Sequence, residues 1–301
     1  MTQYGFIGLG HLGEKIVGCL LRGGLAVKVF DLDSKAVERV VASGASAGAS
    51  AGDVARASDV VITCLPSPTI SEKVLQQMLS VWQKNATWIE MSTLDRDNMI
   101  RLSTLAAAKG IKTLECPVTG GVHLAAVGKI TMLVGGDREL FQQHEKALRL
   151  IASRVFFMGA IGSAALIKVI TNMLAFINLV GSSEALMLAK KGGLDLATAF
   201  EAIKASSGNS FVHETEGALI LSGSYEIDFT MDLVLKDLGF ALGFGKEFDV
   251  PLSLAAAILP MFQAGKEKYG GTAQSPKVAK LLEEKMGTDL RATGYPKKLK
   301  A

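Results

Sequence analysis

The chain has 301 residues, 49% of them hydrophobic and 20% charged, and its 32 basic and 29 acidic residues leave a formal net charge of +3. That length fits two domains, and the apolar fraction excludes a disordered chain. The charge balance excludes the basic excess of a dedicated nucleic-acid or anionic-membrane binder. The longest stretch without Asp, Glu, Lys or Arg is Val250–Gly265. It contains two prolines and is shorter than the roughly 20 apolar residues that span a bilayer. The opening residues, Met-Thr-Gln-Tyr-Gly-Phe-Ile-Gly, show no basic region followed by an apolar stretch. Cys19, Cys64 and Cys116 are scattered and form no metal-ligand spacing, and neither do the four histidines. A cytoplasmic protein with free thiols, and with no metal, nucleic-acid or membrane partner, is expected.

In chain order, Tyr4–Ile7 reads as a strand, Leu12–Arg22 as a helix and Ala26–Phe30 as a strand, with a helix from Ser34. The small-residue stretch Gly44–Gly52 reads as a loop. Asp59–Leu65 is a buried-type strand, Thr69–Trp82 a helix, Thr87–Met91 a strand and Arg96–Lys109 a helix. Lys112–Cys116, Ile130–Val134 and Arg154–Phe157 are further strands with helices between them. Apolar strands separated by helices imply an α/β domain built on a parallel-rich sheet covered on both faces. From Ser163 to Lys190 the sequence reads as one long helix, whose only charges before its end are Lys168 and Glu184, so a buried helix is expected. Beyond Gly192-Gly193 only helical patterns follow: Asp195–Ala205, Phe211–Leu221, Met231–Phe248, Pro251–Tyr269 and Pro276–Met286. The expected organisation is an α/β domain over residues 1–161 and an all-α domain over 162–301, joined by the long helix.

Gly8-Leu9-Gly10-His11-Leu12-Gly13 is a G-x-G-x-x-G motif between the first strand and the first helix. Gly8 permits the tight turn, Gly10 lets a pyrophosphate approach the backbone, and Gly13 lets helix and strand pack closely. The helix N-terminus offers unpaired N–H groups to the phosphates. An acidic residue is required after the second strand, and Asp31 stands there. Its carboxylate would hold the adenosine ribose hydroxyls and repel a 2′-phosphate. No arginine occurs between Asp31 and Glu38, although Lys35 does, so NAD is favoured over NADP. The alternative for Asp31 is a helix cap. Leu65-Pro66 and Ser92-Thr93 follow two predicted strands, where ligands bind in such sheets, so they are expected to border the cofactor. The alternative for Ser92 and Thr93 is a cap on the next helix.

Four segments together resemble the β-hydroxyacid dehydrogenases, the family of 3-hydroxyisobutyrate dehydrogenase and tartronate semialdehyde reductase. They are Gly5–Gly13; Cys116-Pro-Val-Thr-Gly-Gly121, similar to A-P-V-S-G-G; Gly159–Asn172, similar to G-x-x-G-x-x-x-x-x-K-x-x-x-N; and Lys236-Asp-Leu238. The resemblance covers nearly the whole chain. It implies a Rossmann-type N-terminal domain, a helical C-terminal domain, substrate held in the cleft between them, and a homodimer or homotetramer paired through the helical domains. It also implies reversible hydride transfer between nicotinamide and a small carboxylate-bearing 3-hydroxy acid, giving a 3-oxo acid or semialdehyde. Lys168 matches the family's general acid/base, Asn172 its asparagine, and Lys236 a lysine that contacts the cofactor. Thr119, Gly120 and Gly121 match the substrate-anchoring serine and glycines.

The residues themselves agree with these roles. Lys168 is the only basic residue between Arg154 and Lys190. A lysine on a buried helix is costly unless it is paired or its pKa falls, and a lowered pKa is what a general base needs. A lysine snorkelling from an interface is the alternative. Asn172 lies one turn on, at i+4. Thr119 offers a hydroxyl and the two glycines offer N–H groups to a carboxylate, or form a plain turn. Lys236 has Asp232 at i−4 as an alternative partner. His123, Asn209, Ser210 and Phe211 are candidates for substrate choice. The sequence departs from the family at Thr119 for serine, Thr171 for asparagine, Leu124 for glycine, and His11-Leu12. Imine reductases and non-catalytic scaffolds of related fold are the alternatives, and Lys168, which they generally lack, argues against both.

Overall fold

The computed structural model describes residues 2–300, which divide into two compact units: one running through Lys168, the other Val169–Lys300. In the first, one nine-stranded sheet comprises β1 (Tyr4–Ile7), β2 (Val27–Phe30), β3 (Ser46–Ala47), β4 (Val60–Thr63), β5 (Thr87–Glu90), β6 (Lys112–Glu115), β7 (Val118–Thr119), β8 (Ile130–Gly136) and β9 (Ala152–Gly159). The helices between them are α1 (His11–Arg22), α2 (Ser34–Val41), α3 (Ala51–Arg56), α4 (Pro68–Leu79), α5 (Arg96–Ala107), α6 (Val122–Ala125) and α7 (Arg138–Leu148). The order β3-β2-β1-β4-β5-β6 is wholly parallel and continues into β8, which is antiparallel to β6 and β7 and parallel to β9. This is the doubly wound order whose reversal point lies beside β1.

Every residue of β1, β4 and β5 is buried, as strands covered on both faces must be. Most of the helices start on a side chain of their own. Asp33, Ser50, Ser67, Asp95 and Asp137 accept N–H bonds within the first turns of α2, α3, α4, α5 and α7, each a contribution of about 1 kcal/mol. Helix α1 begins instead at Gly10, which offers no side-chain cap. Both tryptophans are tied into the sheet unit. The Trp82 indole donates to the Ser58 carbonyl at 2.9 Å, and the Trp88 indole to the Thr63 hydroxyl at 2.8 Å.

Two stretches are more ordered than their composition indicates. Inside Gly44–Gly52, Ser46 and Ala47 form β3 because Lys28 and Val29 on the outer edge of β2 offer them unpaired ladder groups. Val118 and Thr119 form β7 by pairing with Met132 and Thr131. Ser46 and Ala47 are small residues that acquire strand geometry from tertiary pairing, whereas Val118 and Thr119 are β-branched strand formers in a run too short, between Pro117 and Gly120-Gly121, to mark a strand by itself.

Helix α8 (Ser163–Lys191) crosses the division between the units. It is followed by α9 (Leu196–Lys204), a π-helical turn at His213–Gly217, α10 (Ala218–Ser222), α11 (Met231–Glu247), α12 (Ser253–Tyr269) and α13 (Val278–Met286). Phe176, Leu179, Leu186, Phe200, Leu238 and Phe262 are among the buried residues of the second unit's core. By length and composition, α8 is apolar enough to cross a membrane, a test that core helices of soluble proteins also meet. It is not buried all round within the chain: Ile170, Leu174 and Leu188 are 37%, 51% and 76% exposed. One core covers one side of a helix. His213 is fixed by Ser182 Oγ at 2.8 Å and the Phe200 carbonyl at 3.0 Å, with its ring stacked on Phe200.

Candidate active site

The glycine loop follows β1 directly. Gly8 has φ +100°, and a Cβ there would lie 2.2 Å from the Cys64 carbonyl oxygen. A Cβ on Gly13 would lie 2.0 Å from the Gly8 carbonyl oxygen. Both glycines are therefore dictated by packing. Gly10 differs: a Cβ there meets nothing within 4 Å. The space in front of the α1 N-terminus is open, and no side chain caps that end. An uncapped, unobstructed helix start after a parallel strand fits a pyrophosphate.

Asp31, just past β2, accepts hydrogen bonds from the Leu9 N–H at 2.5 Å and the Asp33 N–H at 2.8 Å. The cap of α2 is Asp33, so Asp31 is not a helix cap. Its carboxylate is pinned to the glycine loop instead. The Leu9 side chain is buried, Leu12 packs partly against the core, and His11 is exposed.

The carboxyl ends of β4, β5 and β6 carry the next group. Thr63, Glu90 and Glu115 are register partners across these strands. The Leu65 N–H donates to Ser92 Oγ at 2.7 Å, and the Ser92 hydroxyl and N–H both reach Glu90 Oε1. The cap of α5 is Asp95, which leaves Ser92 and Thr93 free of that task. Burial pushes the Glu90 carboxyl up, opposed by its bonds from Ser92. Burial also raises the Cys64 thiol to about 12 and lifts Cys116, so neither is poised as a nucleophile.

Beyond β6 the chain runs through Cys116-Pro117 into β7. Thr119 and Gly120 are half-buried and Gly121 is exposed. Gly120 and Gly121 have φ +121° and +87°, a region costly for other residues. The His123 ring sits 3.0 Å from where a Gly121 Cβ would be, and burial lowers its pKa.

Lys168 and Asn172 share one face of α8 and are 7% and 8% exposed. In the helical unit, Asn172 Nδ2 donates to Asp237 Oδ2 at 2.6 Å, and Lys236 Nζ lies 3.1 Å from Asp237 Oδ1. Lys236 is thus paired with the buried Asp237 beside it, while Asp232 pairs with Lys266. Of the specificity candidates, Asn209 bonds Glu214, Ser210 accepts from the His213 N–H, and Phe211 is 56% exposed. Among the described residues, no group of three or more potential ligands could hold a metal.

Sequence reasoning missed Glu90, Glu115 and Asp237. The signal was an acid closing an apolar strand (Trp-Ile-Glu, Thr-Leu-Glu) or next to a motif lysine. Glu115 is 1% exposed and accepts N–H bonds from Gly162 at 2.7 Å, Ala164 at 2.8 Å and Ala165 at 3.2 Å. Burial raises its pKa to about 7 despite those bonds. Between the ordinary value of 4.5 and about 7, the folded chain holds this proton and the unfolded chain does not. Stability therefore falls as pH rises through that window and is level above it, a change of roughly 3 kcal/mol. Glu115→Gln lacks this slope. The melting temperature of the variant, relative to the native chain, is expected to rise by several degrees between about pH 5 and about pH 8. A constant difference in parallel thermal melts would refute the assignment.

Residues 3–159 match the family described as the NAD binding domain of 6-phosphogluconate dehydrogenase. Residues 162–282 match that described as NAD-binding of NADP-dependent 3-hydroxyisobutyrate dehydrogenase. The 2-(hydroxymethyl)glutarate dehydrogenase of Eubacterium barkeri is 35% identical over 96% of this chain and 97% of its own. The 3-hydroxyisobutyrate dehydrogenase of Pseudomonas aeruginosa is 33% identical over 90% of this chain and 95% of its own. The structure of Mycobacterium tuberculosis 3-hydroxyisobutyrate dehydrogenase with L-serine aligns with a TM-score of 0.85 at 26% identity, covering 94% of this chain and 99% of that one. With an NAD(P)-binding sheet unit, a helical second unit and relatives of this closeness along nearly its full length, the chain belongs to the β-hydroxyacid dehydrogenase family, which includes 3-hydroxyisobutyrate dehydrogenase.

Proposed function

We propose that this protein interconverts a small 3-hydroxy acid and its semialdehyde or 3-oxo acid, with NAD as the preferred cofactor. The observation that carries the reading is Lys168, nearly buried on α8 and preceded by a first turn bonded to the strand that leads into Thr119-Gly120-Gly121. A bound nicotinamide supplies the hydride acceptor. The chain's own part is orientation, anchoring and proton transfer. The Thr119 hydroxyl and the Gly120 and Gly121 N–H groups hold the substrate carboxylate. The Lys168 amine, when neutral, takes the hydroxyl proton as the carbinol C–H bond breaks and the C=O bond forms. In reduction the ammonium returns that proton. Asn172, held by Asp237, is available to orient the hydroxyl.

The dinucleotide is held by the loop from Gly8 to Gly13 and by Asp31, bordered by Leu65, Pro66, Ser92 and Thr93. The NAD preference rests on Asp31. A pinned carboxylate accepts hydrogen bonds from ribose hydroxyls and opposes a 2′-phosphate. The two dehydrogenases named above are named for acids with a hydroxymethyl group on the carboxylate-bearing carbon, and the proposed substrate belongs to that class.

The test is NADH formation followed spectroscopically with a panel of 3-hydroxy acids, with NAD and NADP side by side at neutral and alkaline pH. Turnover of a hydroxymethyl acid is expected, with kcat/KM about 100-fold higher for NAD. Preference for NADP would remove the Asp31 argument. No turnover despite tight NAD binding would favour a non-catalytic scaffold.

A further inference from the structure

We propose that Glu115 is a positioning residue for Lys168: its buried carboxylate ties the first turn of α8 to the end of β6, whose chain continues into the Thr119–Gly121 anchor. This inference rests on the function proposed above.

Helix α8 has no acidic residue in its first turn. The other capped helices of the sheet unit use a residue at their own start, which fixes the helix only to the chain just before it. Glu115 is separated by 47, 49 and 50 positions from the three residues whose N–H groups it accepts. A cap borrowed from so far away fixes a helix to a sheet. A helix start left without partners would bury unsatisfied donors, so the chain must supply acceptors there. Supplying them from the strand end, rather than from a local Ser or Asp, makes the helix position depend on that strand.

The neighbourhood is built around this carboxylate. Gly135 on β8 is the register partner of Glu115. A Cβ on Gly135 would lie 2.1 Å from Glu115 Oε1 and 2.8 Å from its carboxyl carbon, so only glycine leaves the carboxylate in place. Glu90 of β5 is the register partner on the other side and is committed to Ser92. Ala165, one of the three donors, also belongs to the apolar cluster around Trp88 and Met99, so the anchored turn is gripped by packing as well.

From this one residue, the two parts of the proposed chemistry diverge. Thr119 lies four residues along the backbone. Lys168 lies three residues beyond Ala165, about 4.5 Å further along the helix axis. A shift of the α8 start moves the amine relative to the carboxylate anchor. Misplacement of a reacting group by about 1 Å can cost about 100-fold in rate.

Two substitutions weaken the tether from opposite sides. Glu115→Gln keeps the volume but turns one end into a donor facing a helix N–H. Gly135→Ala keeps Glu115 but displaces its carboxylate. Each is measured for kcat and KM with the best hydroxy acid, for NADH affinity by fluorescence, and for deuterium exchange of the peptide amides around 162–168. The expected result is a kcat lowered by about 10- to 100-fold in both variants. NADH affinity stays within about twofold, exchange is faster at the start of α8, and the double variant is no slower than the worse single one. A normal kcat alongside faster exchange would make Glu115 merely structural and overturn the proposal. Normal exchange in both variants would also overturn it. If the native protein turns over no hydroxy acid, the function proposed above fails by itself, and exchange still decides whether the tether exists.

Discussion

Lys168→Ala is expected to lower kcat for hydroxy-acid oxidation by about 1,000-fold or more, with NADH affinity within about twofold of the native protein. The lysine is 7% exposed on a helix that is otherwise uncharged up to Glu184. Such a side chain is retained for a reason other than stability. If it carries the proton, its loss removes an interaction realised in the transition state, so kcat and kcat/KM fall together. Lys168→Arg sharpens the test. The guanidinium keeps the positive charge but does not deprotonate, so it should be nearly as slow as alanine. Steady-state rates and NADH titrations on folded variants decide the matter. Activity within about tenfold of native for either variant would remove the acid/base assignment.

The glycine loop provides the second large effect, and its glycines are expected to behave differently. In Gly13→Ala the new Cβ meets the Gly8 carbonyl oxygen at 2.0 Å, a backbone atom that cannot rotate away, and the Phe6 ring at 3.2 Å. Helix α1 must lift off the loop. The expected result is a loss of about 3 kcal/mol in stability together with at least about 100-fold weaker NADH binding. Gly10→Ala meets nothing within 4 Å, and its φ of −65° suits any residue. It should fold with nearly native stability, since Ala for Gly at a helix start costs only about 1 kcal/mol. Its methyl group projects into the open approach to the helix N-terminus, so NADH binding should still fall at least about 10-fold. Chemical denaturation and NADH fluorescence separate the two. Native-like affinity in Gly10→Ala would show that the phosphates do not approach there.

The residues legible from sequence are those whose chemistry fixes their spacing. The glycine triplet and Asp31 could be found because turn, helix start and second strand follow at set intervals, and the Leu9–Asp31 bond joins them in space. Lys168 was legible because a lone charge in a long apolar helix is costly wherever the helix lies. The partner of Lys236 was less so. The i−4 rule points to Asp232, but Lys266 on α12 takes that carboxylate, and Asp237, an immediate neighbour on the helix, takes Lys236. Helix-surface rules describe an isolated helix, whereas α11 packs against α12. Glu90 and Glu115 were hidden for a related reason. An acid closing a strand reads equally well as a solvated end, and only the β5–β6 register and the start of α8 reveal that both are buried. The short strands β3 and β7 depend on pairing with distant segments, which no local pattern records.

The two indole hydrogen bonds have a practical consequence. Trp82 and Trp88 are the chain's only tryptophans, and both lie in the sheet unit, 8% and 0% exposed. Residues 169–300 contribute none. Intrinsic emission excited in the indole band therefore reports the integrity of one half of the molecule and is blind to the other. Far-ultraviolet dichroism, weighted by the long helices α8, α11 and α12, reports much of what emission misses. If the halves come apart at different denaturant concentrations, the two signals will trace separate transitions, and emission will identify which of them belongs to the nucleotide-binding half.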